Sequence, residues 1–216
     1  NEAATQKRRD AVSSKPYRAL MGCLLWINMT RADTSYYTAM LCQCMDDPST
    51  DEWEAGIGLL SYLHTTRNLG LKYTRSDQGF HCKVDCYADS SFRMTGEPKP
   101  QAGFCIFIEN NLVSYSSRRP KVVPLSTCEA EIAACCNGCR SIMFVRLSLT
   151  FLGFTVKAPM NLITDNEAAM HAIRNPGTTQ RTRHFESWQM FCRDLKLRNL
   201  IEVFWIATAD MVADIY

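Results

Sequence analysis

Apolar positions recur at near-helical spacing through the first third of the chain. Pro16 suits a first helical turn, and Leu20, Leu24 and Ile27 or Asn28 follow on one face. A second helix is predicted from Asp33 to Met45, broken by Asp46, Asp47 and Pro48. Ser49 then caps a third helix, with Glu52 three residues on to complete a capping box. Trp53, Ile57, Leu60 and Leu63 or His64 would form its stripe. Residues 1–15 read as a disordered lead-in, and residues 74–80 as a polar linker.

The period changes after that linker. Cys82, Val84, Cys86 and Ala88 alternate with Lys83, Asp85, Tyr87 and Asp89, which is a strand. Asp89 therefore shares a face with Asp85 and Tyr87. Phe104–Ile108 and Leu112–Ser116 are two more strands. Asn110 and Asn111 lie between them, and Asn tolerates the positive φ of a tight hairpin. Ser126 and Glu129 form a second capping box. The helix they open carries Ile132, Cys136, Cys139, Met143 and Leu147 as one stripe. Leu162–Thr164 is a short strand ending at Asp165. Helices over 166–173 and about 181–198 follow, then a last strand over 201–206. Thr208 is predicted to cap a terminal helix holding Asp214. Hairpin-linked strands followed by crossover units define an α/β class with a mixed sheet.

Composition narrows this only a little. The 216 residues are 46% hydrophobic and 21% charged, ordinary for a globular chain. A net charge of +2 does not announce a nucleic-acid partner, so basic groups must be sought as local clusters. Eleven cysteines, an odd number, fit a reduced intracellular compartment better than a disulfide scaffold. No uncharged apolar stretch reaches membrane-span length, since Arg146 interrupts residues 142–156. No membrane partner is expected.

Four carboxylates stand at element ends: Asp89, Glu131, Asp165 and Asp214. Gathered in one domain they would repel one another at neutral pH and need a cation. Hard oxygen donors with room for water and phosphate suit Mg²⁺. Two such ions cleave phosphodiesters.

The local strings strengthen that reading. Tyr17, Arg18, Leu20, Gly22 and Leu24, then Thr30, Arg31 and Asp33, then Trp53, Tyr62 and Leu63 follow one pattern. Tyr87–Asp89, Ser116–Arg119, Leu125–Glu131, Thr164–Ala169, Arg183–Phe185 and Val212–Ile215 follow another. Together they resemble the C-terminal part of the Pol polyprotein of copia-type LTR retrotransposons. Residues 16–75 resemble the helical thumb or connection tail of its reverse transcriptase. Residues 81–216 resemble its ribonuclease H domain. The resemblance implies a ribonuclease H-like mixed sheet with flanking helices, preceded by a small all-helical segment. It implies Asp89, Glu131, Asp165 and Asp214 as catalytic metal ligands, with Asp89 bridging two Mg²⁺ (or Mn²⁺) ions. It implies an RNA–DNA hybrid as substrate, the remainder of the reverse transcriptase in cis, and work in a cytoplasmic particle or the nucleus.

Glu129 competes with Glu131 within one Glu-Ala-Glu step. Glu131 is preferred because the family's alanine–glutamate step aligns there, and Glu129 has a capping job. Arg118, Arg119 and Lys121 form one basic cluster, and Arg181, Arg183 and His184 another, each suited to backbone phosphates. Ser90 and Asn166 flank two of the acids and can donate to sugar hydroxyls. Asp46 and Asp47 precede Pro48 and read as a helix stop, not a polymerase hairpin. Cys136 and Cys139 have half a zinc site's spacing but lie on an apolar stripe, so they read as core. Where the family has Asp and Trp after Asp89, this chain has Ser91 and Phe92, and Ala32 replaces its proline. The competing class is a non-catalytic remnant that binds nucleic acid or a polymerase, from a degenerate or host-retained element.

Overall fold

A computed structural model describes residues 15–75, 77, 79, 81–91, 101–120, 124–175 and 186–216. The chain divides into two compact units, Asn1–Lys72 and Tyr73–Tyr216.

The first unit is helical. It holds α1 (Tyr17–Ile27), a 3₁₀ turn (Ala32–Thr34), α2 (Ser35–Cys42) and α3 (Thr50–Thr65). Pro16 stands at the N-cap of α1, one place earlier than the first helical turn. Asp33 belongs to the 3₁₀ turn, so α2 starts later and stops sooner than the sequence pattern predicts. The capping box of α3 forms as expected: Ser49 Oγ accepts from Asp51 N–H at 3.2 Å, and Glu52 Oε2 accepts from Ser49 N–H at 2.7 Å. Its stripe is rotated. Leu59 and Leu63 are buried, whereas Ile57 is 44% exposed.

Arg31 ties this unit together. Its guanidinium donates to both Asp33 oxygens at 2.9 and 2.7 Å and to Thr66 O at 3.1 Å. Tyr62 donates to Asp33 Oδ2 at 2.8 Å and lies under the Arg31 cation, 5.5 Å from its ring centroid. The Thr-Arg-x-Asp and Tyr-Leu strings thus meet in one network that joins the 3₁₀ turn to the end of α3. Lys15, expected in the lead-in, sits 5.2 Å over the Trp53 ring.

The second unit is a mixed sheet under helices. Its strands are β1 (His81–Cys82), β2 (Val84–Ser91), β3 (Gln101–Ile108), β4 (Asn111–Arg118), β5 (Thr155–Val156), β6 (Met160–Thr164) and β7 (Ile201–Trp205). The main sheet runs β4-β3-β2-β6-β7. The β4-β3-β2 meander is antiparallel, and β2-β6 and β6-β7 are parallel. β1 and β5 form a separate parallel ladder. This strand order is the ribonuclease H-like mixed sheet.

The hairpin turn is shifted by one residue. Glu109 (φ 48°) and Asn110 (φ 65°) take the positive φ values, and Asn111 begins β4. The Asn111 amide bonds Ile108 O and Glu109 O. It also pairs with Thr74 in both directions, so Thr74 is pinned to β4 rather than running free as a linker.

The long helix α4 (Thr127–Phe151, 25 residues) lies across β2 and β3. By length and composition it would cross a membrane, but in this fold its first half is the core helix. Gly138 makes the seat: a Cβ there would come 2.9 Å from Cys86 Sγ of β2. The predicted stripe holds for Ile132, Cys136 and Cys139, but Leu147 is 66% exposed. α5 (Glu167–Arg174) and α6 (Glu186–Leu197) complete the core. The cysteines are free; Cys136 and Cys139 are buried in that core together with Cys192 of α6. The predicted terminal helix is instead two 3₁₀ turns, Thr208–Asp210 and Val212–Ile215.

Candidate metal centre

The register explains how distant acids meet. Tyr87 pairs with Ile163 across the parallel β2-β6 ladder, so Asp89 in β2 and Asp165 just past the end of β6, each two residues on, stand level. Ser126 Oγ accepts from Glu129 N–H at 3.2 Å and starts α4, which places Glu131 in the helix's first turns beside the same strand ends. Asp89, Glu131 and Asp165 each present a carboxylate oxygen within 4.8 Å of the others. Among the described residues this is the one such group of potential metal ligands.

The Glu129–Glu131 alternative resolves on geometry. Glu129 Oε2 accepts from Leu125 N–H at 2.6 Å. Its carboxylate therefore holds the helix entry one residue ahead of the cap and does not close the predicted reciprocal box with Ser126. Glu131 faces Asp89 and Asp165.

Asp214 arrives from the second 3₁₀ turn, which packs on β2 and β3. Its carboxylate lies close enough to Asp89 for its charge to raise the Asp89 carboxyl. Tyr216, two residues on, packs against Gly103, the register partner of Asp89 on β3. A Cβ at Gly103 would fall 2.7 Å from Tyr216 Cβ. The bare backbone of Gly103 lets this segment lie close enough to bring Asp214 in.

Electrostatics follow from crowding. Burial, then the Asp165 and Asp214 charges, lift the Asp89 carboxyl from its ordinary 3.8 to about 7. Burial, then the Asp89 and Asp165 charges, lift Glu131 from 4.5 to about 8, against the lowering effect of its Ser90 hydrogen bond. Two of the acids have a fixing donor. Ser90 Oγ donates to Glu131 Oε1 at 2.8 Å, and Thr208 Oγ1 donates to Asp165 Oδ2 at 2.7 Å. The Trp205 indole donates to the Asp165 backbone carbonyl at 2.8 Å. Glu131 Oε2 is buried with no hydrogen-bond partner. A buried anionic oxygen without a donor is costly unless a cation meets it. The all-oxygen donor set, the mutual repulsion and this orphaned oxygen together fit a hard divalent cation.

The remaining sequence candidates fall into three groups. Asn166 Oδ1 accepts from Ala169 N–H at 2.9 Å and caps α5. Ser90 is engaged with Glu131. Arg118 and Arg119 are exposed at the end of β4. Lys121, Arg181, Arg183 and His184 lie outside the described residues. Sequence reasoning missed Thr208 as an Asp165 partner; it was assigned to a cap because a hydroxyl before a short run normally is one. It also missed Gly103, which lay before the predicted strand Phe104–Ile108 and falls inside β3 in the fold.

No family model matches the chain. It is 28% identical over 199 residues to the retrovirus-related Pol polyprotein from transposon RE2 of Arabidopsis thaliana, covering 92% of this chain and 14% of that one. It is 24% identical over 214 residues to the retrovirus-related Pol polyprotein from transposon TNT 1-94 of Nicotiana tabacum, covering 97% of this chain and 16% of that one. Over nearly its whole length the chain is thus similar to retrotransposon Pol polyproteins. It spans about one seventh of the RE2 relative's length. Among solved structures, the N-terminal RNase H domain of a Mycobacterium tuberculosis protein overlays with a TM-score of 0.44 at 15% identity, covering 62% of this chain and 88% of that one. LC11-RNase H1 in complex with RNA/DNA hybrid gives 0.42 at 14%, covering 61% and 91%.

Proposed function

We propose that the chain hydrolyses the RNA strand of RNA–DNA hybrids endonucleolytically during retrotransposon reverse transcription, leaving 5′-phosphate and 3′-hydroxyl ends. The observation that carries this reading is the convergence of Asp89, Glu131 and Asp165 within 4.8 Å. Asp89, Glu131, Asp165 and Asp214 would hold two Mg²⁺ ions. Bound there, the ions would neutralise the phosphodiester's charge and make water a nucleophile near neutral pH.

The residues' own parts follow from their contacts. Asp89 feels the charges of both Asp165 and Asp214 and would be the acid best placed to hold the ions together with them. Ser90 fixes one Glu131 oxygen and leaves Oε2 for the ligand. Thr208 fixes Asp165 Oδ2 in the same way. Asp214 stands close enough for its charge to help raise the Asp89 carboxyl, and it would share in holding the ions. Arg118 and Arg119, with Lys121, Arg181, Arg183 and His184, supply cations for backbone phosphates. Ser90 and Asn166 flank the acids where sugar hydroxyls of an RNA strand would pass. Such an enzyme reads the hybrid by groove shape and 2′-hydroxyls, with little base recognition. The remainder of the reverse transcriptase would act in cis.

The test is incubation with a labelled hybrid and Mg²⁺, beside an Asp165→Asn control. RNA-strand cleavage by the chain and none by the control supports the reading. No cleavage, or equal cleavage by both, removes it. Hybrid binding without cleavage would favour a non-catalytic binding remnant.

A further inference from the structure

A cleft of about 840 Å³ runs between α4 and the β3-β4 hairpin. It opens beside the acid cluster. Ala133 and Ala134 on its wall follow Glu131 within one turn of α4, and Ala102 on its floor is the register partner of Ser90. It then follows α4 as far as Phe144, roughly 20 Å beyond Glu131 along the helix.

Its charge is one-sided. Arg118, Arg119 and Arg140 line it, and no Asp or Glu does. Among the described residues none of these three guanidinium groups is paired with a carboxylate. Elsewhere Arg18, Arg31, Arg174 and Arg198 each sit on one. Phe144 lies one turn beyond Arg140 on the same face of α4 and is 72% exposed. Unneutralised cations beside an open aromatic ring are the two components of a single-strand binding groove. The cations track phosphates, and the ring stacks on any base. The volume is that of a pocket for one small molecule, so it admits one or two nucleotides and no duplex.

We propose that this cleft holds a single-stranded nucleic-acid segment, with Arg118, Arg119 and Arg140 on its phosphates and Phe144 against a base. The capture rests on the cleft alone. That the segment is an unpaired extension of the hybrid rests on the nuclease reading, because the cleft opens at the acid cluster.

Fluorescence anisotropy on the full chain in chelator tests this with three probes: a 12-nucleotide oligothymidylate, a blunt RNA–DNA hybrid, and the same hybrid with a single-stranded DNA overhang. The wild type binds the oligothymidylate and prefers the overhang hybrid to the blunt one. Phe144→Ala weakens oligothymidylate binding about 10-fold. Arg140→Ala lowers the salt slope of that binding by about 0.7. Both variants lose the overhang preference, Arg140→Lys keeps most of it, and melting curves verify that each variant is folded. Unchanged oligothymidylate binding in both alanine variants overturns the proposal. So does a loss shared in equal proportion by the blunt hybrid, which would assign these groups to duplex contact. Absence of hybrid cleavage by the wild type in Mg²⁺ fails the nuclease reading and leaves the oligothymidylate result standing by itself.

Discussion

Gly103 and Tyr216 touch backbone to side chain: a Cβ on Gly103 would stand 2.7 Å from Tyr216 Cβ and 3.0 Å from its carbonyl oxygen. Gly103 is also the register partner of Asp89, and Tyr216 follows Asp214 by two residues. Buried Ala213 and the stacking of Tyr216 on Tyr115, with ring centroids 5.6 Å apart, anchor the segment from the other side. Gly103→Ala therefore pushes Asp214 from Asp89 without altering any acid. The expected cost is about 1–3 kcal/mol of stability, typical of overpacking, with weaker divalent binding. Thermal melting and a Mn²⁺ titration followed by electron paramagnetic resonance would check both. A variant that binds Mn²⁺ as the wild type does would mean that Asp214 contributes nothing to the centre.

The crowded acids make stability depend on pH in a defined direction. In the unfolded chain Asp89 and Glu131 titrate near their ordinary 3.8 and 4.5; in the fold they titrate near 7 and 8. The folded state therefore holds protons that the unfolded chain has released. This contribution is fully present below about pH 4 and is lost as pH rises through 7 to 8. Between pH 5 and pH 8.5 the metal-free protein should lose stability from this source, with most of the loss below pH 8. Mg²⁺ should restore stability at pH 8.5 and do little at pH 5, where protons occupy the site. Calorimetric melts in chelator and in Mg²⁺ at the two pH values would check this. A metal-free protein more stable at pH 8.5 would contradict it.

Thr208 offers a test of orientation without charge. Its hydroxyl donates to Asp165 Oδ2 at 2.7 Å from an exposed 3₁₀ turn. Thr208→Val keeps the shape and removes the donor. Partners of metal ligands commonly govern affinity by 10–100-fold, and a loss in that range is expected for divalent binding, with thermal stability changed by less than about 1 kcal/mol. Isothermal titration and melting of the same sample separate the two effects. Unaltered affinity would show that Asp165 is oriented by its strand alone.

Much of the fold was legible where burial alternates along a strand, as in β2. Val84, Cys86 and Ala88 face the core while Tyr87 and Asp89 do not, and that alternation is written in the sequence. The Ser49–Glu52 box was legible because it is local. What depended on register was not. Nothing in the separate strands says that Tyr87 pairs with Ile163, which is what sets Asp89 level with Asp165. The strand predicted from Phe104 stops short of Gln101, which the fold includes in β3. It is buried there because its amide donates to Ser117 Oγ at 2.9 Å on β4. Asp214 was expected in a terminal helix capped by Thr208; packing on β2 and β3 accompanies a 3₁₀ turn instead. The arginine cleft escaped because Arg140 reads as the outer face of an amphipathic helix. Only the fold sets it across from Arg118.

The two glutamates of the Glu129-Ala130-Glu131 step give a paired test of what each carboxylate does. Both are buried, so burial does not distinguish them. Their partners do. Glu129 accepts from a backbone N–H ahead of α4, a charge-assisted bond at a helix N-terminus. Glu131 stands among like charges with one oxygen unpartnered. Glu129→Gln should lower stability by about 1 kcal/mol and leave divalent affinity within about twofold, since no metal-facing oxygen is touched. Glu131→Gln should do the reverse. It removes a repelled buried charge, so the metal-free protein melts higher at pH 8.5, while divalent binding and hybrid cleavage fall to background. Melting in chelator and Mn²⁺ titration on both variants read out the crossing. If Glu129→Gln rather than Glu131→Gln abolished metal binding, the centre would be built on the other glutamate and the register of α4 on the sheet would have to differ by two residues.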